Sequence, residues 1–293
     1  MKTNKWKRSG FKKAALAGLV MIGSGALLSP EFTHAASAEA IKQTTPITTS
    51  YANHTTNSFK VAQTDKLSDY KKANYTVKLF ELDDSVDSAV SHKPTSKDMT
   101  KEAAAEIGAK ALWELFGQSL EGKVIEMSYF NASLESHPEL FWNSRPEWTG
   151  TVRINDKLSY SFTVDAVTGE MFSISRNRQF DDSHPIVQQY KDDTAVLDLF
   201  NKIEKNQQEY VEPAKKLVEK YNVVQSPIKS VEFSGLGSRG AEVSYNDPHV
   251  KIKITGKNGE RADVELAMRD KELVGISYPG LWKQIEEDKK NRK

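Results

Sequence analysis

The chain has 293 residues, a formal net charge of +1 and no cysteine. This length allows one or two domains with flanking tails. The absence of cysteine excludes disulfide bonds, thiol catalysis, cysteine-ligated zinc and a lipid-anchored N-terminal cysteine, so stability must come from apolar cores.

The N-terminus combines a basic segment, an apolar segment and small residues. Six Lys or Arg residues precede the apolar run Ala14–Leu28, and two small-x-Ala cleavage patterns end at Ala35 and Ala38. This order predicts a secretory signal peptide over residues 1–36. The alternative, a membrane anchor, is disfavoured because the run has only fifteen residues and contains three glycines.

Removal of the signal peptide changes the charge of the protein. The segment carries six basic residues and one acidic residue, so the mature chain has a formal net charge near −4. A negative chain is a poor partner for nucleic acid or an anionic membrane. The lysine-rich start of the signal resembles signal peptides of Gram-positive bacteria. We expect a secreted protein that is extracellular or loosely associated with the cell wall.

Residues 37–73 are rich in Thr, Ser, Ala, Gln, Asn and Lys and lack periodic large apolar residues. Such a segment buries too little apolar surface to offset the entropy lost on ordering, which predicts a disordered spacer. Residues 75–82 then alternate between apolar and polar side chains. This alternation predicts a short strand, which we expect at the edge of the first domain.

Residues 74–180 predict a first α+β unit. Thr100 is a favourable helix N-cap and Gly117 a favourable C-terminal stop, with apolar residues at helical spacing between them. Apolar residues alternate again from Ile125 to Tyr129. After a loop of about seventeen residues, the segment Trp148–Ser175 predicts three antiparallel strands joined by two short turns.

Residues 190–280 predict a second α+β unit. A helix from about Asp193 should break near residues 208–212, because Pro213 suits the first turn of a new helix. Four alternating strands follow, and Lys257–Glu260 is a strong hairpin turn between two of them. Residues 281–293 predict a polar tail.

The two units share one order of elements: helix, strand, long loop and three-stranded meander. Tyr129 precedes Phe233 by 104 residues, and Val164 precedes Met268 by the same interval. We therefore predict an internal repeat. The predicted fold is α+β, with two tandem units that each pack a helix on an antiparallel sheet of three to four strands.

The first meander resembles a known family. In FTVDAVTGEMFSI a strand ends in Asp165, a short turn carries Thr168-Gly169, and the return strand starts with Glu170. This is similar to the signature hairpin of PepSY domains, as is the helix one strand upstream. The resemblance covers residues 98–178, whereas the second unit lacks both the Thr and the Gly. It implies a cystatin-like, extracytoplasmic and non-enzymatic module, of a kind found in propeptides of secreted metallopeptidases and proposed to restrain peptidase activity.

The sequence contains no recognisable catalytic or metal-binding pattern. The six histidines never pair at i, i+4, and H-E-x-x-H, G-x-S-x-G and calcium-loop patterns are absent. Paired acids such as Asp83-Asp84 lie in hydrophilic runs. We therefore expect a protein that is not an enzyme, with no catalytic residue, no metal site and no cofactor.

The most unusual segment is the aromatic loop, which we define as residues 140–148. It gathers Phe141, Trp142, Arg145 and Trp148 between two predicted strands. Trp and Arg dominate the hot spots of binding interfaces, so these four residues form the predicted partner-binding site. The alternative for either tryptophan is that its ring packs in the core.

Together these patterns favour a secreted, non-catalytic binding module. We expect it to restrain an extracellular peptidase or to bind a cell-wall component, with no nucleic-acid partner and no membrane partner after signal cleavage. Two alternatives stay open at this point. One is a structural matrix or wall-associated protein, and the other is a hydrolase with dispersed catalytic residues.

Overall fold

The computed structural model describes residues 70–80, 93–135, 144–180, 193–237 and 248–291. The predicted signal peptide and residues 37–69 of the predicted spacer lie outside these ranges. Two residues of the predicted binding site, Phe141 and Trp142, also lie outside them.

Within the described residues, nine strands form one mixed sheet. Its order is β1-β2-β3-β4-β5-β9-β8-β7-β6, with β1 parallel to β2 and the other neighbours antiparallel. The strands in the first half of the chain are β1 (Thr76–Leu79), β2 (Val124–Phe130), β3 (Glu147–Asn155), β4 (Leu158–Asp165) and β5 (Met171–Arg178). Those in the second half are β6 (Ile228–Gly237), β7 (His249–Gly256), β8 (Arg261–Ala267) and β9 (Leu273–Ser277).

The part of the chain that the structure describes has four α-helices beside the sheet: α1 (Lys101–Phe116), α2 (Asp193–Lys205), α3 (Gln208–Tyr221) and α4 (Pro279–Asn291). Helix α1 packs on β3–β5 and α3 on β6–β8, and both contribute to one large apolar core. Helix α4 contacts β5 and β8 and has a separate apolar cluster. Because Arg261 stacks on Trp282 of α4 and belongs to the face that α1 and α3 leave uncovered, α4 lies on the opposite face of the sheet.

Local sequence explains the position of α1. The Thr100 hydroxyl accepts the N–H of Ala103, and Gly117 ends the helix in the left-handed conformation at φ 63°. Small residues on its buried face let the helix approach the sheet closely. The ring of Phe162 lies between Gly108 of α1 and Gly150 of β3, where a methyl group on either glycine would overlap it.

The prediction of two tandem units is wrong. The last strands of the two halves, β5 and β9, pair through Ser173–Ser277, Ile174–Ile276 and Ser175–Gly275, so all nine strands share one sheet. Two separate sheets would each leave an unpaired edge at this place. Joining the edges satisfies their backbone N–H and C=O groups, and the α+β class itself is retained.

The two halves nevertheless repeat the same backbone bonds. The bond from Ala166 N–H to Pro146 C=O recurs 102 residues later, between Met268 and Pro248. The same interval relates the pairs of β3 and β4 to those of β7 and β8. Strands β2 and β6 correspond at an interval of 106 residues, so the predicted interval of 104 is found in neither case: Val164 corresponds to Leu266, and Phe233 to Met127.

Two further predictions need correction. Residues 281–291 are helical, whereas a polar tail was predicted over 281–293, because Leu281, Trp282 and Ile285 recur on one helical face and are buried. Pro213 lies inside α3, which already begins at Gln208. The predicted break is instead at residues 206–207, between α2 and α3.

Candidate functional site: an anchored loop stem and a polar sheet face

Two consecutive residues anchor the C-terminal end of the aromatic loop, and we call Ser144 and Arg145 the loop stem. Ser144 donates its backbone N–H to one carboxylate oxygen of Asp288 at 2.9 Å and its hydroxyl to the other at 2.7 Å. Gln284 donates to the same carboxylate at 2.8 Å. Asp288 is buried, so helix α4 holds the stem with a desolvated anion.

The second tether joins the stem to the β4–β5 turn. Arg145 donates to the Asp165 carboxylate at 2.9 Å, and Asp165 is fully buried. The other oxygen of Asp165 accepts the backbone N–H groups of Val167 and Thr168 at 2.8 and 2.9 Å. Asp165 therefore orders its own turn and fixes Arg145 at the same time.

The N-terminal side of the loop is also fixed. Asn131 is the N-cap of a short 3-10 helix over Ala132–Leu134. Its side chain accepts hydrogen bonds from the backbone N–H and the hydroxyl of Ser133. Asn131 and Ala132 are buried. Both flanks of residues 136–143 are thus attached to the rigid part of the fold.

The structure describes two of the four predicted binding residues, Arg145 and Trp148, and their environments differ. Trp148 is only 1% exposed, donates its indole N–H to the Met99 carbonyl at 2.9 Å and packs edge-on against Tyr129. Its ring is part of the core, as in the alternative prediction for this residue. Arg145 belongs to the stem. The structure does not describe Phe141 or Trp142, so the binding role of the loop stays a prediction.

A second acid, Glu170, lies where the turn meets the start of α4. A side chain at Gly280 would overlap the Glu170 carboxylate, so the glycine permits this close approach. Burial raises the pKa of the Glu170 carboxyl, and the nearby charge of Asp165 raises it further. The positive charges of Arg145 and Lys283 act in the opposite direction.

Apart from the apolar contact of Phe172 with α4, two rows of polar residues cross the sheet face that carries this helix, and we call it the polar face. Strand register aligns its side chains in two rows, and every member is polar or glycine. The first row is Ser128, Thr149, Thr163, Ser173, Ser277, Asp263, Lys253 and Glu232, and the second is Glu126, Thr151, Ser161, Ser175, Gly275, Glu265, Lys251 and Gly235.

The polar face differs between the two halves of the chain. In the first half hydroxyl groups bond to one another, as in the Ser161–Ser175 contact at 2.8 Å. In the second half most side chains of the two rows are charged, and Arg261 of the same face makes two bonds of 3.0 Å to Asp263. Burial raises the pKa of the Asp263 carboxyl, although the bonds from Arg261 oppose this.

Within the described ranges, no group of three or more His, Cys, Asp or Glu side chains is arranged to hold a metal ion. No described helix is both long and apolar enough to cross a membrane. Described side chains also enclose a polar depression of about 200 Å³ between β3, β4 and β5, lined by residues such as Arg153, Lys157 and Asn177. It lies at the rim of the sheet, away from the loop stem.

Sequence reasoning missed Ser144, Asp288 and the polar face, and it identified Asp165 only as part of the hairpin and not as the partner of Arg145. The face had a visible signal, because Thr149, Thr151, Ser161 and Thr163 alternate with the apolar residues that identified the strands. The partnership of Ser144 with Asp288 had none, since 144 residues separate them.

Comparison with known proteins gives little. No protein-family model matches the sequence, and no curated protein matches it. Among solved structures, the chain is similar to the Bacillus megaterium YpeB C-terminal domain, at 8% identity and a TM-score of 0.34. The match covers 63% of this chain and 65% of that one, so it spans less than two thirds of the domain's length. Such a weak likeness says nothing about function.

Proposed function

We propose that this protein is an exported, non-catalytic binding module that uses the aromatic loop to hold a partner outside the cell. The observation that carries the proposal is the double anchoring of the loop stem. Ser144 and Arg145 are each held by a buried carboxylate, one on α4 and one on the β4–β5 turn.

An anchored stem lowers the cost of binding. A loop that is ordered before the encounter loses less conformational entropy on association, which improves affinity without additional contacts. Tryptophan is among the residues that contribute most at the centre of interfaces. Trp142 lies two residues before Ser144, and so close to an anchored backbone position.

The partner class follows from the hairpin that anchors the loop. Asp165 ends β4, Gly169 takes a positive φ of 75° and Glu170 leads into β5. These are the residues on which the PepSY resemblance depends, and that resemblance implies restraint of a secreted peptidase. An extracellular peptidase is therefore the proposed partner, and a cell-wall component is the competing outcome.

The test is a pull-down from culture medium and from purified cell wall, with Trp142→Ala compared to wild type. Loss of an interface tryptophan should weaken retention about thirtyfold, equivalent to roughly 2 kcal/mol. Phe80→Ala is the matched control, because Phe80 is an exposed aromatic residue at the end of β1. This control should retain the partner, and both variants should unfold within about 0.5 kcal/mol of wild type.

Three results would count against the proposal. A large fall in the melting temperature of Trp142→Ala would assign Trp142 to the core and remove the predicted site. Equal retention by wild type and Trp142→Ala would separate the loop from binding. Turnover of peptide or glycan substrates by the purified protein would favour the hydrolase alternative.

A further inference from the structure

The two outer parts of the sheet have equivalent strands, β2 and β6, but only β2 has a further strand paired with its outer edge in the described residues. On the first half, β1 runs parallel to β2 with Lys78 opposite Glu126 and Leu79 opposite Met127. On the second half, β6 is the last strand, and no described strand pairs with its outer edge. The occupied edge therefore indicates what the open edge is able to accept.

Strand β1 is held by backbone bonds and by inward-facing side chains. Thr76 N–H donates to Lys123 C=O at 2.9 Å, and Phe80 N–H donates to Met127 C=O at 2.8 Å. Tyr75 and Val77 pack against the main core. The hydroxyl of Tyr75 also donates to Glu106 on α1.

Register fixes the equivalent positions on β6. Ile125 pairs with Val152 on β3, and Val231 pairs with Ile254 on β7. Because Ile254 corresponds to Val152, Val231 of β6 corresponds to Ile125 of β2. By the same rule Met127 corresponds to Phe233. Ile125 and Met127, on the strand beside β1, are fully buried, whereas Val231 and Phe233 are only half-buried. The second half thus keeps a partly open apolar strip where the first half is covered.

The helix beside the open edge repeats the tyrosine acceptor. The buried residues Ala104, Gly108 and Leu112 of α1 recur 106 residues later as Tyr210, Ala214 and Val218 of α3. The same interval relates Glu106 to Glu212. Glu212 is exposed and accepts one bond from Gln208 at 2.7 Å, so carboxylate lone pairs are accessible there.

The open site is short. Register shifts interrupt β6 between Ile228 and Ser230 and again between Phe233 and Gly235. Such bulges limit uncontrolled pairing at sheet edges. They leave a regular window of residues 230–233, and β1 also has four residues.

We propose that residues 230–233 of β6, together with α3, form a docking site for an extended segment of a partner polypeptide. The segment adds as a parallel strand, as β1 does on β2, and main-chain bonds supply much of its affinity. Its preferred pattern is tyrosine, any residue, then an aliphatic residue, because a tyrosine hydroxyl reaches Glu212 and the aliphatic side chain covers Val231. This site is separate from the aromatic loop.

Cysteine cross-linking tests both the site and its register, because the chain has no cysteine and each introduced thiol is unique. The probe is a synthetic peptide of residues 73–80 with Lys78→Cys, joined by a short thiol-reactive cross-linker. Since Lys78 faces Glu126 on β2, the peptide cysteine should face position 232 on β6. The full-length Glu232→Cys protein should cross-link at least tenfold faster than Lys253→Cys, which lies one strand further in.

Two controls complete the design. Glu126→Cys should not cross-link, because β1 already occupies that edge. Glu212→Gln in the Glu232→Cys protein, or a peptide with Tyr75→Phe, should reduce the rate about threefold or more. Equal rates at positions 232 and 253 would overturn the proposal. A disulfide-linked dimer of Glu232→Cys in place of the peptide adduct would assign the edge to a second copy of this chain and would overturn it as well.

Discussion

The pairing of Arg145 with Asp165 makes a quantitative prediction about the loop stem. Asp165 is fully buried and accepts three bonds, whereas the Arg145 side chain is 30% exposed. Asp165→Ala removes the acceptor for all three donors. Water can replace the carboxylate as acceptor for the N–H groups of the exposed residues Val167 and Thr168. It can do so only partly for the guanidinium of Arg145.

These exposures set the expected magnitudes. Asp165→Ala should lower the free energy of unfolding by about 2–3 kcal/mol, below the range for a fully buried pair because one partner reaches solvent. Arg145→Met should cost about 2 kcal/mol, since it leaves a buried carboxylate with only two backbone donors. The double mutant should lose less than the sum of these losses, by a coupling energy of about 1–2 kcal/mol.

Urea denaturation of wild type, the two single mutants and the double mutant, with linear extrapolation to water, measures each free energy of unfolding. The matched control is the cycle of Glu209 and Lys271, which are 2.9 Å apart, with side chains 59% and 35% exposed, so that neither charge is buried. Its coupling should stay below about 0.5 kcal/mol. If the Arg145–Asp165 coupling were as small as that of the control, the carboxylate would not anchor the stem, and the argument for a preorganised loop would fail.

Three more predictions concern single positions. Lys271 takes a φ of 60° at the place where the first hairpin has Gly169, so Lys271→Gly should raise the free energy of unfolding by about 0.5–1 kcal/mol in urea, and an unchanged value would show no strain there. Gly150→Ala forces a methyl group into the ring of Phe162 and should cost about 2–3 kcal/mol, a loss that Phe162→Leu should partly restore in thermal melts. Because the pKa of Glu170 is raised in the folded state, its charged form destabilises the folded protein at pH 7. This destabilisation is lost as the pH falls through that pKa and the carboxyl is protonated. Glu170→Gln should therefore be more stable than wild type at pH 7, and the difference should vanish near pH 4, about the unfolded carboxyl value; equal differences in melting temperature at both pH values would contradict this.

Local structure was predictable where it depends on short-range chemistry. Thr100 and Gly117 bound α1 because a hydroxyl cap and a left-handed glycine act within one helical turn. Alternation placed Phe162 and Ile174 on one face of their strands, and both are buried. Lys257–Glu260 lies between β7 and β8 as expected.

What the sequence did not predict depends on contacts between distant residues. The periodicity of β5 and β9 does not predict that Ile174 pairs with Ile276. An edge strand and an inner strand have the same alternation, so the pattern does not show that these two strands are neighbours. The helix α4 was overlooked because the charged residues of 283–293 outnumber its three apolar anchors. In the same way, the run of charged residues predicts that Asp288 lies in a solvated tail, whereas folding buries it against Ser144.

The repeated halves allow one more prediction, because among the described residues no strand pairs with β6 as β1 pairs with β2. Removal of residues 1–80 should leave Ile125 and Met127 only half-buried, as Val231 and Phe233 are. Loss of the packing of Tyr75 and Val77 should lower stability by about 3 kcal/mol, at roughly 1.5 kcal/mol for each partly buried side chain. The peptide of residues 73–80 should then raise the melting temperature of the truncated protein by mass action. Titration calorimetry should count two peptides for each truncated chain and one for each full-length chain. A count of one for both proteins would mean that the edges of β2 and β6 are not equivalent acceptors, and the symmetry argument for the β6 site would fail with it.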